Sequence, residues 1–257
     1  MSSEKLTKIL AISGAYISSE FEISRMEEPF DLLILGDRWL AHAWTGSVCK
    51  TAAFYLEMFP QWIEHFHFKD ADSKILIVPG PFDDAVIKLS ERMGTNFAEA
   101  IYKATNGRVI FLTENLFTFK GITIYVIPWV LDVVGSDKWS YALPINKTAA
   151  KYQSIPEGID IIIGNMSLTD YDHYRKDIVK DTDVGILTDI IVSKKPKLYL
   201  LQLDGNWSLD YKIPNKSIAA YRLYAATTGY HSEFRYEKYV THIDISDNSI
   251  KVDSKEL

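Results

Sequence analysis

Short apolar runs, each closed by turn residues, recur along the chain. Lys8–Ser13 (KILAIS) ends at Gly14, Phe30–Leu35 (FDLLIL) at Gly36-Asp37, and Lys74–Val78 (KILIV) at Pro79-Gly80-Pro81. They are rich in Ile, Leu and Val and lack apolar–polar alternation, the pattern of strands covered on both faces. Helical patterns lie between them. Thr51–Phe66 places Phe54, Leu56, Met58, Trp62, Ile63 and Phe66 on one broad face, with Pro60 positioned to kink or split it. Asp84–Asn96 predicts a second helix. Strand and helix in this rhythm predict a layered α/β fold.

Further along, Arg108–Phe111, Phe117–Phe119 and Ile122–Ile127 follow one another closely, the last two across a Lys120-Gly121 turn, and predict an antiparallel run. Strands are then predicted at Ile159–Ile163, Leu198–Leu201, Tyr221–Ala226 and Tyr239–Ile245, with a helix at Val184–Val192. Two sheets packed face to face with helices outside account for this order. With neither an internal repeat nor a long Pro/Gly/Ser linker, one domain is expected over residues 1–257. Its core spans about 8–245, and 246–257 reads as a polar tail.

Composition narrows the function classes. The 257 residues are 47% hydrophobic and 24% charged, which excludes wholesale disorder. A net charge of -6 argues against a general nucleic-acid binder, which needs a basic face. A lone cysteine, Cys49, permits neither an internal disulfide nor a cysteine-based zinc site. No apolar run is long enough to span a membrane, and the start (MSSEK) lacks a signal-peptide core. A soluble, intracellular protein is therefore expected, free or within a larger assembly or virus particle. On that view the Asn-x-Ser/Thr triplets at Asn146, Asn165, Asn206 and Asn215 are chance matches.

Ligands of open α/β folds sit at the carboxyl ends of strands. The turns there read Ser13-Gly14-Ala15-Tyr16, Gly36-Asp37-Arg38, Gly80-Pro81-Phe82-Asp83-Asp84, Gly164-Asn165-Met166 and Gln202-Leu203-Asp204-Gly205. Their order and framing resemble the calcineurin-like metallophosphoesterases. Closest is the metallophosphoesterase-domain-containing branch, through Gly121–Trp129 (GITIYVIPW), Ile155–Ile162 (IPEGIDII), Pro196–Tyr199 (PKLY) and Ala225–Gly229 (AATTG). The resemblance covers about Lys8 to Ile245. It implies a four-layer α/β/β/α sandwich of two mixed sheets with helices outside.

Carried over by position, the family's metal ligands are nearly all lost. They fall on Gly14, Tyr16, Asp37, Pro81, Phe82, Asn165, Leu203 and Gly205. Asp37 alone keeps its ligand type, and Asn165 is a polar substitute. Gly, Pro, Phe and Leu have no side-chain ligand atom, and a phenol with a pKa near 10 is a poor one. Two metals about 3.5–4 Å apart need several converging oxygens or imidazoles. The resemblance therefore implies a pseudoenzyme with no metal and no cofactor, acting as a binding, scaffold or structural subunit through protein partners. A phosphoesterase with an atypical or single-metal site is the alternative, and a non-catalytic nucleotide or small-molecule binder using the old cleft is a second.

Other chemistry-bearing residues add little. Asp83, Asp84 and Asp204 with Asp37 suggest either a carboxylate cluster or caps and turns; Asp83 and Asp84 stand where acids favour a helix start. His65 and His67, two apart, lie on different helix faces and converge only if that segment is extended. Trp139 and Trp207, each in a polar setting, are the expected partner contacts.

Overall fold

The computed structural model describes residues 7–13, 28–36, 56–57, 59–79, 90–132, 141–166, 181–202, 211–212, 219–223, 239–246 and 249–256. The strands are β1 (Thr7–Ser13), β2 (Leu32–Gly36), β3 (Lys74–Val78), β4 (Val109–Phe111), β5 (Leu116–Phe119), β6 (Ile122–Ile127), β7 (Val130–Leu131), β8 (Ala142–Leu143), β9 (Ile161–Gly164), β10 (Leu198–Gln202), β11 (Tyr211–Lys212), β12 (Ala219–Leu223), β13 (Tyr239–Ser246) and β14 (Ser249–Glu256). Helices are α1 (Phe59–Trp62), α2 (Phe97–Ala104), α3 (Ile145–Gln153) and α4 (Asp181–Lys194), with a 3-10 turn at Ile63–His65.

Two mixed six-stranded sheets result, in the orders β14-β13-β1-β2-β3-β4 and β11-β12-β10-β9-β6-β5. Each has four parallel strands: β1 to β4 in the first, and β6, β9, β10 and β12 in the second. Antiparallel pairings extend both sheets, β13 on β1 and β14 on β13 in the first, and β5 on β6 and β11 on β12 in the second.

The uninterrupted apolar runs follow from this burial. Ile9, Ala11, Leu32, Ile34, Leu76 and Val78 of the first sheet share one core cluster with Ile124, Val126, Ile161, Ile163, Leu198 and Leu200 of the second. Their neighbours in sequence, Leu10, Leu33, Leu35, Ile75 and Ile77, point the other way and are buried too. On the second sheet the opposite face presents Tyr125, Ile127, Ile162, Tyr199 and Leu201 to Tyr152 and Ile155 around α3 and to Leu187 and Ile191 of α4. Each such aliphatic side chain contributes about 1.5–3 kcal/mol by leaving water.

Several expectations change. Val109–Phe111 does not continue into an antiparallel run; it joins β3 in parallel, and only β5 and β6 form the hairpin. Proximity in sequence does not say which sheet a three-residue strand enters. Residues 90–93 are helical, but the chain turns at Gly94 (φ +59), and Asn96 starts α2 instead of ending a helix. Its Oδ1 accepts a hydrogen bond from the Glu99 N–H, an N-cap. Between Phe59 and Phe66 the chain forms α1 and one 3-10 turn. Residues 249–256, read as a polar tail, pair along the whole of β13; half-buried Val252 packs on the core while Lys251 and Asp253 face water.

The sheets are tied at both edges. At the amino edge, Lys120 in the β5–β6 turn reaches Asp31 and Asp70 of the first sheet's loops. Asp31 also accepts from Lys69 and from the Lys8 backbone N–H, each at 2.8 Å, and Lys8 pairs with Glu28. In the second sheet Asp160 has the corresponding place: it accepts from the Thr123 N–H and hydroxyl at 2.8 Å and pairs with Lys197.

Candidate functional site at the carboxyl edges

The parallel strands β3, β6 and β9 end together, and Asn165 lies directly after β9. It is 8% exposed. Its Nδ2 donates to the carbonyl of Pro79, which follows β3, at 3.3 Å and to that of Pro128, which follows β6, at 3.1 Å. Both amide protons are thus spent on backbone, and one side chain joins the two sheets. Two carbonyl acceptors fix the amide orientation, because a flipped amide would set oxygen against oxygen. No hydrogen bond reaches Oδ1 among the described residues.

The surroundings of Asn165 are tightly built. The Tyr199 hydroxyl of β10 donates to the Met166 carbonyl at 2.9 Å. It lies against Gly164, where an added Cβ would stand 2.4 Å from the tyrosine oxygen. Glycine is therefore required by close approach. The Met166 sulfur accepts from the Leu131 N–H, and Tyr152 donates to the Trp129 carbonyl. Trp129 packs edge-on against Tyr141 and has the Lys151 ammonium 4.9 Å above its ring; Lys151 also pairs with Glu114. Burial pushes the nearby Tyr125 phenol above its ordinary pKa, so it stays neutral.

Of the positions expected to form the old metal site, Asn165 is the one described. Gly14, Tyr16, Asp37, Pro81, Phe82, Leu203 and Gly205 lie outside the described residues, as do Trp139, Trp207, Cys49, Asp83, Asp84 and Asp204. His65 and His67 are both exposed, and His67 accepts through its carbonyl from the Phe30 N–H. Among the described residues no three His, Cys, Asp or Glu side chains are grouped to hold a metal, and no helix is long and apolar enough to cross a membrane. Asn165 itself is buried, so glycan attachment there is excluded in the folded chain.

A group of perturbed carboxylates lies at the opposite edge. Burial pushes the Asp31 carboxyl up, but hydrogen bonds from Lys120, Lys69 and the Lys8 N–H outweigh it and hold it below the ordinary range. Asp70 is held down to about 2, mainly by its hydrogen bond from Lys120. Burial pushes the Lys120 ammonium down, and its two carboxylate partners more than reverse this. Asp160 is lowered against its own burial by Lys197 and Thr123. Every charge in this group is matched, which suits an internal fastening better than a reactive centre. Sequence reasoning missed Asp31 and Asp160. The available signal was an acid at the head of an otherwise apolar run, in FDLLIL and in GIDIII.

No protein family model matches this chain, and no curated protein matches it.

Proposed function

We propose that this chain is a degenerate metallophosphoesterase-type protein, a pseudoenzyme that serves as a binding, scaffold or structural subunit through protein contacts. On this reading its two sheets and helices form a four-layer α/β/β/α sandwich. Support comes from Asn165. It occupies a position where the resemblance puts a metal-ligating histidine, and both of its amide protons are committed to the Pro79 and Pro128 carbonyls. A side chain fastened in this way links strand ends. It presents no imidazole to an ion, and phosphoryl transfer of the two-metal kind requires several such ligands to generate hydroxide and to balance charge.

The test is metal content after reconstitution with manganese, zinc and iron, read by elemental mass spectrometry, alongside hydrolysis of bis(p-nitrophenyl) phosphate. Metal below about a tenth of an equivalent and no turnover are expected, since the ligand set is too small. One or two equivalents, lost together with hydrolysis in Asp37→Ala, would return the metal-dependent phosphoesterase to first place.

A further inference from the structure

We infer that Asn165 is a donor-only tie that holds the two sheets together at their carboxyl ends, a hydrogen-bonded replacement for the ions that would otherwise join them. The replacement clause rests on the proposed function; the tie itself rests on geometry alone. Pro79 ends the β3 segment of the first sheet, and Pro128 ends the β6 segment of the second. Asn165 Nδ2 bonds both carbonyls from a site 8% exposed to solvent. A proline carbonyl belongs to a residue with no N–H of its own, so neither Pro79 nor Pro128 can offer a donor in exchange.

Asparagine supplies what this position needs: two protons on one nitrogen, no charge, and a length that spans two strand ends. Alanine would leave both carbonyls without this donor. Aspartate has the same shape and would set a carboxylate against two carbonyl oxygens. Protonation changes that, because a carboxylic acid carries one O–H and can donate to one of the two carbonyls.

The segments meeting here supply little other charge. Ile77-Val78-Pro79, Val126-Ile127-Pro128, Ile163-Gly164-Asn165-Met166 and Leu200-Leu201 carry no ionisable side chain. Beside them the Tyr199 phenol donates to the Met166 carbonyl.

The experiment compares thermal unfolding of the wild type, Asn165→Ala and Asn165→Asp between pH 8 and pH 5. At pH 8 both variants melt about 5–10 °C below the wild type, the scale of lost buried hydrogen bonds in a chain of this size. On acidification the Asp variant recovers half or more of its deficit, because burial raises its carboxyl into this range, while the Ala variant's deficit stays constant. Recovery of Asn165→Asp in soluble form only from acidic buffer reports the same titration. An aspartate deficit that is absent, or flat with pH and equal to that of alanine, overturns the tie. A wild type that binds manganese while Asn165→Asp shows the titration refutes the pseudoenzyme and leaves the tie standing.

Discussion

Gly164→Ala is the sharpest probe of packing at the carboxyl edges. The new Cβ would lie 2.4 Å from the Tyr199 hydroxyl oxygen, 3.0 Å from its Cζ and 3.2 Å from Ile127 Cγ2. Tyr199 is 1% exposed, so its ring has nowhere open to go. Overpacking of this kind costs about 1–3 kcal/mol. Displacing the hydroxyl also breaks its 2.9 Å bond to the Met166 carbonyl, worth about 1 kcal/mol more. The variant should therefore lose about 2–4 kcal/mol. Tyr199→Phe alone should lose about 1–2 kcal/mol, since a buried carbonyl loses its donor. In the double variant the closest clashing atom is gone and the hydrogen bond is lost only once. Its deficit should fall short of the sum of the single deficits by about 1–2 kcal/mol. Urea unfolding followed by tryptophan fluorescence measures all three against the wild type. If Gly164→Ala stays within about 0.5 kcal/mol of the wild type, or the deficits simply add, the close approach is refuted.

Two further predictions concern the amino edge and α2. Lys120→Met strips a partner from buried Asp31 and from Asp70, and should cost about 1–3 kcal/mol at neutral pH because Lys69 still pairs Asp31 and Asp70 is half in solvent. The folded-state pKa of both carboxylates is depressed, so their contribution is complete above the unfolded value near 3.9 and fades as pH falls toward about 2. Lys120→Met should therefore lose less stability than the wild type as pH falls below the unfolded value, so that the gap between them closes once the carboxylates are protonated; a gap that persists there counts against the ionic origin. Asn96→Ala removes the cap on Glu99 and should cost about 1 kcal/mol, seen as faster amide exchange at the start of α2. Unchanged exchange would mean that the cap contributes nothing.

The central strands were legible because burial on both faces leaves an unbroken apolar run: KILAIS, DLLIL, KILIV and IDIII all became parallel inner strands. Edge strands were harder. β14 faces water on one side, so its sequence, SIKVDSKE, looks like a tail until β13 is seen beside it. Val109–Phe111 was recognisable as a strand, but its sheet depends on a crossover, which local pattern does not encode. The Asp84–Asn96 prediction overran the turn at Gly94, after which Asn96 caps α2. At the site, Asn165 was picked out by position alone. Its task depends on Pro79 and Pro128, residues far away in the chain that only the two-sheet arrangement brings within reach. The Asp31–Lys120 contact has the same long-range origin.

The place of β13 beside β1 has a consequence for how the chain is assembled. Ala11 faces Thr241 across that pairing, so the earliest described strand meets one of its two neighbours only once the chain has been made as far as Thr241. Its other flank, with β2, joins residues close in sequence and closes at little entropic cost. During synthesis, β1 therefore spends a long interval with one open edge, the kind of surface that invites pairing with other chains. The late hairpin of β13 and β14 caps that edge, and its charged outer strand then stands between the apolar sheet and the next molecule.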